Sequence, residues 1–576
     1  MRRRHFIISA GLGAVGASIA RPRSMQAQDV RWRYDGHERA YPGLMSKLSD
    51  INTTDIRDAV SLGCRAMSSV FNADDNDMPF FGAFVRPFVR FLVLPSDADP
   101  HMPGRHLNAL LTAEHVLGIT IDEAAIEKHT RAAYFSYSGP VAFPLGRDRI
   151  SGKLINFNPM NIREGFHALY ALVAYRGSAR AHDLAERSIQ AIVRLWNPKR
   201  GWDRDQIEGT FGLSMQTQWP EVPFISGLAR AIGPLVKYYR ATNSEAALQL
   251  ATVLKDKAIA ENYLETGEYD PKLLGVHVHD ITCVLSSLAQ LAAATQDAPL
   301  MNRVKAFYDN GLRQFTNQIG WAAEYAGPTA DPRFPDRTGD DDGGEGNSTG
   351  DILETALILG RWGYTECYDF AERILRAFLL PSQLRDTSFA TDPSNPEGTD
   401  DKRAVLERLR GAWGYAAPYG HQPVGFERVL FTLDVVGGVV GSLCEAFRAI
   451  SEVTPRGHVV NLLFDHSTDA LDVESPYTHK ALTVRPKRPG PILLRVPSWS
   501  DVRQIEVMGA TSLPRLINGY LHVSEPRAQS VTIKLPLTKR DLLLTYRKRR
   551  IATRMEGDRI LQMENFGADL TFFDAL

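Results

Sequence analysis

Between about residues 50 and 450 the sequence repeats one pattern: two stretches with apolar residues at helical spacing, separated by a short turn. Each helical hairpin of this kind carries an apolar stripe that only another hairpin can cover. A closed ring of hairpins, an (α/α)-toroid, is therefore the expected fold. Four pairs are recognisable, and they begin at NIREGFHALYALVAYRG, FISGLARAIGPLVKYYRATNS, VHDITCVLSSLAQLAAATQD and GDILETALILGRWG.

The period changes beyond Pro455, where segments such as HVVNLLFDHSTDALDVES and SVTIKLPLT alternate apolar and polar residues. Pro-rich turns such as KRPGP separate these short segments. We therefore predict a mainly α protein, with a toroid over residues 29–452 followed by an antiparallel β-sandwich over residues 453–576. The last residues, from about 540, are expected to wrap back onto the toroid.

The first residues indicate export. Arg2, Arg3 and Arg4 precede a stretch rich in Ala, Gly and Ile that is too short to span a bilayer permanently. This combination is typical of a twin-arginine signal, predicted over residues 1–28, and implies a bacterial protein that is periplasmic or secreted. A basic, disordered tail is the alternative. No later stretch is long and apolar enough for a membrane helix, so no membrane span is expected in the mature protein.

Charge and cysteine content exclude several functions. The formal net charge is −1 with 23% charged residues, which provides no field for binding nucleic acid. The four cysteines are far apart and show no C-x-x-C or Cys/His spacing, so we expect buried thiols and no metal site. The sequence also lacks a G-x-S-x-G elbow, a phosphate-binding loop and a dinucleotide fingerprint. These features leave the oligomeric state open.

Three loops that precede helical pairs are rich in Trp, Asp, Glu and Asn, and a ring would bring them to one mouth. The loop TGDDDGGEGNSTGDILE is the most acidic, and its glycines could let the backbone approach a ligand closely. Neighbouring carboxylates can have their pKa values pushed apart, as a general acid and its partner require. We expect Glu345 to be one catalytic carboxylate, with Glu324 or Asp342 as its partner. A solvated acidic loop, with or without a bound cation, is the alternative.

Further candidates lie outside this acidic loop. GVHVHD places two histidines on one side of an extended segment, where they could orient a sugar; no third ligand at fixed spacing supports a metal. GRHLNALL offers a guanidinium to a carboxylate or a sugar oxygen, or else a structural salt bridge. Loop aromatics can stack on sugar faces or belong to the core. His279 is also a catalytic candidate. The substrate-binding candidates are Arg105, His106, Asn108, Trp202, Trp219, His277, Asp280, Asn347, Tyr419 and His421.

With these segments in place, the chain resembles the β-L-arabinofuranosidase-like glycoside hydrolases of family 127 (GH127). The resemblance runs from GRHLNALL to the C-terminal strands. Its best points are GVHVHDITCVLSSLAQLAAAT, GGEGNSTGDILETALILGRWG, GGVVGSLCEAF and ILLRVPSWS. The resemblance implies a toroid with an appended β-domain and a carbohydrate substrate.

Characterised members of that family use a zinc-bound cysteine nucleophile, held by the glutamate of an E-x-C segment and by a Cys-Cys pair. Glu345 matches the glutamate, but Asn347 stands where the cysteine would be. Gly437-Gly438 or their neighbours stand where the Cys-Cys pair would be. The resemblance therefore implies a divergent member without the zinc and cysteine cluster, whose site is based on carboxylates. Neither zinc nor another cofactor is expected.

The resulting prediction is a glycoside hydrolase that cleaves a terminal sugar or uronic acid from a plant or algal oligosaccharide or polysaccharide. One alternative is a polysaccharide lyase, which would need a neutralising Arg, Asn or His and a Tyr or His base beside a uronate. The residues that could supply these groups are Arg105, His106, Asn347 and Tyr419. A catalytically silent carbohydrate-binding protein is the other alternative, and it would account for the missing cysteines.

Overall fold

The computed structural model describes residues 46–576, apart from residues 87, 217–221, 327–343, 417–428, 525, 527–529, 547–548, 567 and 569. The predicted export signal lies outside the described residues. The α-helices of the described residues are α1 (Ile56–Met67), α2 (Pro95–Leu117), α3 (Glu123–Ser136), α4 (Asn161–Arg176), α5 (Ala179–Leu195), α6 (Ile232–Thr242), α7 (Glu245–Glu261), α8 (Pro271–Leu274), α9 (Val278–Thr295), α10 (Ala298–Asn310), α11 (Gly346–Trp362), α12 (Cys367–Ile374), α13 (Val405–Leu409) and α14 (Leu433–Ala449).

Three of the hairpins use the same turn chemistry. The first helix ends at a residue in the left-handed conformation, which stops the helix. The next residue is Ser or Asp, and its side chain accepts a hydrogen bond from a free N–H in the first turn of the second helix. Two residues are therefore enough to reverse the chain. The turns are Gly177-Ser178 between α4 and α5, Asn243-Ser244 between α6 and α7, and Gln296-Asp297 between α9 and α10.

In the described part of the chain, six helices line the inside of the ring and six surround them. The inner helices α2, α4, α6, α9, α11 and α14 each pack against the next, and α14 closes the ring on α2. Outside them, α3, α5, α7, α10 and α12 each pack on the inner helix that precedes them in the chain, and α1 covers α14. The predicted (α/α)-toroid is confirmed. Because an antiparallel outer helix follows each inner helix, all inner helices run in the same direction.

The strands of the described residues are β1 (Ser46–Lys47), β2 (Phe71–Asn72), β3 (Met78–Pro79), β4 (Gly82–Arg86), β5 (Arg90–Leu92), β6 (Leu145–Arg147), β7 (Leu154–Phe157), β8 (Trp196–Asn197), β9 (Gly201–Trp202), β10 (Ser214–Met215), β11 (Val429–Thr432), β12 (Ser451–Thr454), β13 (Gly457–Val460), β14 (His466–Ser467), β15 (Leu471–Glu474), β16 (Leu482–Pro486), β17 (Ile492–Arg495), β18 (Glu506–Met508), β19 (Arg515–Ile517), β20 (Tyr520–Val523), β21 (Val531–Lys534), β22 (Lys539–Tyr546), β23 (Arg549–Glu556), β24 (Arg559–Met563) and β25 (Leu570–Thr571). Strands β12 to β21 form a sandwich of two five-stranded sheets, in the orders β12-β13-β17-β20-β19 and β14-β15-β16-β21-β18. The described neighbours are antiparallel except β13 and β17, which run parallel. A separate apolar core fills the space between the two sheets.

The chain returns to the helical ring after the sandwich. Strands β22, β23 and β24 form an antiparallel sheet, and β25 pairs in parallel with β1. Leu544, Ile551 and Met555 of this sheet are fully buried in the same apolar core as the helices. The segment beyond the sandwich therefore packs against the ring.

The N-terminal ends of the inner helices share one end of the ring, which we call the mouth. Short sheets lie in the connections that precede these helices, in the orders β11-β4-β5 and β10-β7-β6. The positive ends of six helix dipoles also point toward the mouth, and they favour negative charge there. Among the described residues, no helix is long and apolar enough to cross a membrane.

Candidate active site

Polar side chains inside the ring form three layers, separated by about one helical turn, or roughly 5 Å. The layers alternate in character: hydrogen-bonded carboxyls at the mouth, buried ion pairs in the middle, and a narrow cavity at the base. The mouth layer contains His101, Asn161, His277, Glu345, Asn347 and Asp434. The middle layer contains Arg105, Arg163, Glu164, Arg230, His279, Asp280 and Asp351. The base layer contains Asn108, His167, Lys237, Gln290, Glu354 and Ser442.

Glu345 and Asp434 share one hydrogen-bond donor. Asn347 Nδ2 donates to Glu345 Oε1 at 3.0 Å and to Asp434 Oδ2 at 3.2 Å, which uses both hydrogens of the amide. Ser348 Oγ donates to the other oxygen of Glu345 at 3.2 Å. The two carboxyls are therefore held in one buried, hydrogen-bonded unit where α11 and α14 begin.

The close approach of α11 and α14 makes this contact possible. A Cβ on Gly350 would lie 2.6 Å from Ser442 Oγ, and a Cβ on Gly438 would lie 1.8 Å from Asn347 Oδ1. Larger residues at these positions would force the helices apart. These glycines therefore serve helix packing at the site.

The surroundings push the pKa values of the two carboxyls apart. Burial raises the pKa of Glu345 to about 7, and the negative charges of Asp434 and Glu324 act in the same direction. Burial also acts to raise the pKa of Asp434, but the hydrogen bond and the charge of His101 outweigh it and hold that pKa below its ordinary value. Near neutral pH, Glu345 therefore keeps its proton in a large share of molecules while Asp434 is ionised.

His101 binds one oxygen of Asp434. Its Nε2 lies 3.3 Å from Asp434 Oδ2, and its Nδ1 lies 3.1 Å from Asn161 Oδ1. Because an ionised carboxylate only accepts hydrogen bonds, His101 Nε2 carries a hydrogen and donates it to Asp434. The same oxygen thus receives hydrogen bonds from both His101 and Asn347.

His277 brings positive charge to the mouth. Its Nδ1 lies 3.1 Å from Asp280 Oδ2, and Asp280 Oδ1 lies 3.1 Å from Arg230 Nη1. Burial acts to lower the pKa of His277, but the charge and hydrogen bond of Asp280, with a contribution from Glu345, raise it above its ordinary value. The predicted binding residue His277 therefore lies near Glu345, whereas Asp280 is occupied by its two partners.

Glu164 anchors the middle layer by binding arginines from three helical segments. Arg105 donates to both of its oxygens at 3.0 and 2.9 Å, and Arg163 donates at 2.8 Å. Arg230 Nη2 lies 3.6 Å away. Burial acts to raise the pKa of Glu164, but Arg105 and Arg163 hold it well below its ordinary value. Since each buried charge needs its partners, this cluster forms a fixed floor beneath the mouth.

His279 links this floor to α11, and its two hydrogen bonds define its tautomer. Arg105 Nη2 lies 3.0 Å from His279 Nε2, and a guanidinium only donates, so Nε2 is the acceptor. The hydrogen on Nδ1 is donated to Asp351 Oδ2 at 2.9 Å. Burial and nearby arginine charges hold the pKa of His279 well below its ordinary value, whereas burial raises the pKa of Asp351 to about 7. Both ring nitrogens of His279 are engaged, which favours a positioning role over proton transfer.

The cavity beneath this floor is too small for a sugar. Its volume is about 30 Å³, which is the space of roughly one water molecule. A sugar ring therefore has no room at the base. The mouth layer remains the part of the described ring where a sugar could meet carboxyl groups.

Solved structures of known enzymes share this architecture. A GH127 β-arabinofuranosidase matches with a TM-score of 0.55 at 13% sequence identity, over 90% of this chain and 84% of that chain. The GH127 β-L-arabinofuranosidase from Geobacillus stearothermophilus T6 matches with a TM-score of 0.51 at 16% identity, over 88% of this chain and 80% of that chain. Another glycoside hydrolase matches with a TM-score of 0.53 at 11% identity, over 91% and 84%.

The fold is that of the GH127 enzymes. The resemblance found in the sequence is thereby confirmed at the level of the fold. No protein-family profile and no curated protein matches the sequence itself.

The residues at the mouth do not fit the thiolate zinc site that the GH127 fold implies. Asn347 uses its amide nitrogen to donate to two carboxyls, and Gly437 and Gly438 offer no side-chain donor atom. Zinc sites of that kind depend on cysteine sulfur and histidine nitrogen. These residues therefore supply no thiolate ligand to a zinc ion.

One other group of possible metal ligands occurs in the described part of the chain. The ligand atoms of His279, Cys283 and Asp351 all lie within 4.8 Å of one another. However, the positive charges of Arg163 and Arg230 act on Cys283, and a cation there would be repelled by them. Burial also raises the pKa of the Cys283 thiol to about 12, which keeps it protonated. We assign no metal to this group.

The other cysteines are equally unsuited to nucleophilic chemistry. All four are buried. Burial raises the pKa of Cys64 and Cys367 to about 12, and it raises the pKa of Cys444 well above its ordinary value. Because the thiolate is the reactive form, these residues are structural thiols.

Three predicted binding residues on α2 point in different directions. Arg105 is buried in the floor, where Glu164 and His279 occupy it. Asn108 lines the base cavity. His106 leaves the ring interior: its Nε2 lies 2.9 Å from Leu433 O, and burial lowers its pKa to about 4. We therefore assign His106 to packing between helices.

The remaining candidates lie at the periphery or outside the described residues. Trp202 packs edge-on against Phe143 and Phe157, with ring centroids 5.6 and 5.1 Å away. Glu324 is half-buried, and its main-chain oxygen accepts a hydrogen bond from Val278 N at 3.0 Å. The candidates outside the described residues are Asp342, Trp219, Tyr419 and His421.

Sequence reasoning missed several residues that shape the site, among them His101, Glu164 and Asp434. Each is a buried polar side chain on an inner helix. Asp434, for example, is the acidic residue in the first turn of LDVVGGVVGSL. A lone carboxylate in such a helix is costly to bury without partners, and that cost is the signal that could have revealed it.

Proposed function

We propose that this protein is a glycoside hydrolase that cleaves a terminal sugar or uronic acid from a plant or algal oligosaccharide or polysaccharide. The observation that carries the proposal is Glu345, a buried carboxyl at the mouth of a GH127-type ring whose pKa is raised to about 7. A general acid works best when its pKa is near the working pH, because it is then often protonated and still releases the proton readily. Glu345 meets this requirement near neutral pH.

In the proposed reaction, Glu345 donates its proton to the glycosidic oxygen that leaves the sugar. A second, ionised carboxylate then attacks the anomeric carbon or activates water. Asp434 and Glu324 are both close enough to Glu345 for their charges to raise its pKa, so the mouth can supply that partner. His277 contributes positive charge where a hydroxyl or carboxylate of the sugar could bind.

The arrangement favours hydrolysis over β-elimination. A lyase needs a group that neutralises the uronate, and Arg105, His106 and Asn347 were the candidates for it. Both hydrogens of the Asn347 amide are donated to Glu345 and Asp434. Arg105 is bound by Glu164 and His279, and His106 is buried away from the mouth. Neither is therefore available to a uronate without breaking buried interactions.

The test is a screen of aryl glycosides, including arabinofuranosides, together with uronate-containing oligosaccharides. Wild type should release a free sugar, and Glu345→Gln should reduce turnover by about 10²- to 10⁴-fold on substrates with poor leaving groups. Glu265→Gln, at a side chain that is 89% exposed, is the matched control and should keep full activity. An unsaturated product detected by ultraviolet absorbance would indicate a lyase, and binding without any product would indicate a silent carbohydrate-binding protein.

We further propose that the protein is exported through its arginine-rich N-terminus, which would place the enzyme where external glycans are found. Replacing Arg2, Arg3 and Arg4 by lysines in the full chain should retain the protein in the cytoplasm of a bacterial host. Cell fractionation measures this, and unchanged export would contradict the proposal.

A further inference from the structure

The side chain of Asp434 is bound asymmetrically. Its Oδ2 receives hydrogen bonds from His101 Nε2 at 3.3 Å and from Asn347 Nδ2 at 3.2 Å. Its Oδ1 is buried and has no hydrogen-bond partner. Other buried atoms of the mouth layer also lack a hydrogen-bond partner, among them Asn347 Oδ1 and Asn161 Nδ2. Asp434 Oδ1 differs from these two because it belongs to an ionised carboxylate, whose unshared oxygen is a nucleophile.

The two donors also fix which oxygen is free. Asn347 cannot be turned around, because its oxygen would then face the ionised Asp434. His101 must donate from Nε2, whichever way its other neighbour Asn161 is oriented. The carboxylate of Asp434 is therefore held in one orientation, with Oδ1 as the oxygen that can react.

The separation of the two carboxyls indicates the stereochemical course. Glu345 Oε1 and Asp434 Oδ2 both bind the single atom Asn347 Nδ2, at 3.0 and 3.2 Å, so these oxygens are no more than about 6 Å apart. Retaining glycosidases place their carboxyls about 5–5.5 Å apart, whereas inverting enzymes need about 6.5–9.5 Å to admit a water molecule. Measured between these two bound oxygens, the separation lies below the inverting range, which supports attack by a carboxylate.

We infer that Asp434 is the nucleophile of a retaining hydrolysis, that Asp434 Oδ1 is the attacking atom, and that His101 and Asn347 are its positioning residues. This inference rests on the proposed function. It assigns the second carboxylate to Asp434 in place of Glu324 or Asp342.

The reaction balances in two displacements. Asp434 Oδ1 bonds to the anomeric carbon as the bond to the leaving oxygen breaks, and that oxygen takes the proton of Glu345. Water then attacks the same carbon and gives a proton to Glu345, and the ester bond to Asp434 breaks.

The experiment uses the 2,4-dinitrophenyl glycoside of the sugar that wild type releases in the screen. Its leaving group needs no proton, so Glu345→Gln should still carry out the first displacement. Asp434→Ala should lose at least about a thousand-fold in rate, and sodium azide should restore product as the glycosyl azide of inverted configuration. Glu324→Gln tests the rival carboxylate and should lose less rate than Asp434→Ala. The matched control is Glu265→Gln, at a side chain that is 89% exposed, and it should keep full activity.

Two measurements on wild type do not depend on a variant folding. Proton NMR should show that the sugar released first has the configuration of the substrate. The corresponding 2-fluoro glycoside should add one sugar mass to the peptide that contains Asp434.

The outcomes separate the inference from the function on which it rests. If the sugar released first has the inverted configuration and activity still requires Glu345, Asp434 is not the nucleophile, but the proposed hydrolase function is retained. The same holds if the label lies on Glu324, or if Glu324→Gln is inactive while Asp434→Ala is active. If wild type cleaves no glycoside, both the proposed hydrolase function and the inference about Asp434 are wrong.

Discussion

Replacing Glu345 by glutamine should slow catalysis and stabilise the folded protein, and the stabilisation should depend on pH. Glutamine matches the shape of glutamate, can accept the hydrogen bond from Asn347 and can donate to Ser348, so the packing is preserved. The substitution removes only the ability to ionise. Its effect on stability therefore reports the cost of the buried charge.

The size of this effect follows from the pKa of Glu345. Burial raises that pKa from 4.5 to about 7 in the folded protein. Each pKa unit by which the folded and unfolded states differ corresponds to about 1.4 kcal/mol. Because the folded state has the higher pKa, the stabilising contribution is complete below pH 4.5 and is lost as the pH rises through 7. Between pH 5 and 8, wild type should lose about 2–3 kcal/mol that the variant does not lose.

The assay is chemical denaturation of wild type and Glu345→Gln at pH 5 and pH 8. The free energy of unfolding of the variant, relative to wild type, should be about 2–3 kcal/mol higher at pH 8 than at pH 5. The exposed control Glu265→Gln should show no such difference between the two pH values. If the free energy of unfolding of Glu345→Gln relative to wild type were the same at both pH values, the conclusion that the fold holds this carboxyl protonated would be refuted.

Three further outcomes follow from the same geometry. First, kcat/KM of wild type should decline above about pH 7, because Glu345 must be protonated to act. The lowered pKa of Asp434 should keep the acidic side of the profile open further than an ordinary aspartate would, and a basic limit beyond pH 9 would exclude Glu345 as the acid. Second, Gly438→Ala should lose about 1–3 kcal/mol of stability together with most activity, because its Cβ would lie 1.8 Å from Asn347 Oδ1. Gly441→Ala, whose Cβ would be 3.9 Å from its nearest neighbour, should gain up to about 1 kcal/mol, and equal denaturation curves for the two variants would contradict this packing. Third, iodoacetamide and EDTA should leave the folded enzyme fully active in a rate assay, because all four thiols are buried and the mouth carries no thiolate zinc site.

The hairpins could be predicted from the sequence because their signals are local. A left-handed residue followed by Ser or Asp ends one helix and starts the next within two positions, and apolar spacing marks the buried faces. Helix α2 was harder to see because Pro100 and Pro103 lie inside it. The last hairpin was hidden altogether, since it pairs α14 with α1 from the opposite end of the chain.

The candidate site was predictable only in part, because the contacts that assemble it join residues that are far apart in the sequence. Glu345 was found because it lies in an acidic segment with an unusual composition. The local signal of Asp434 is weaker, because it is a single carboxylate at the start of an apolar helix. Its pairing with Glu345 becomes visible only when α11 and α14 meet and Asn347 bridges the two carboxyls. Arg105 and His106 are neighbours in sequence, but one points into the ring and the other away from it. Helical geometry decides that difference, and spacing alone could not assign the two faces.

Asn347 and Gly438, where the sequence resemblance to GH127 leads one to expect cysteines, are physically coupled. Asn347 in place of a cysteine supplies two N–H donors, which bind the carboxyls of Glu345 and Asp434 where a thiolate would have bound metal. The same amide places its oxygen where any side chain at position 438 would have to lie, so glycine is required there once asparagine is present. Restoring cysteine at position 347 alone would therefore break the carboxyl pair without rebuilding a metal site, because Gly438 still offers no ligand. Asn347 therefore holds together two carboxyls whose pKa values differ, and it leaves no space for a side chain at position 438.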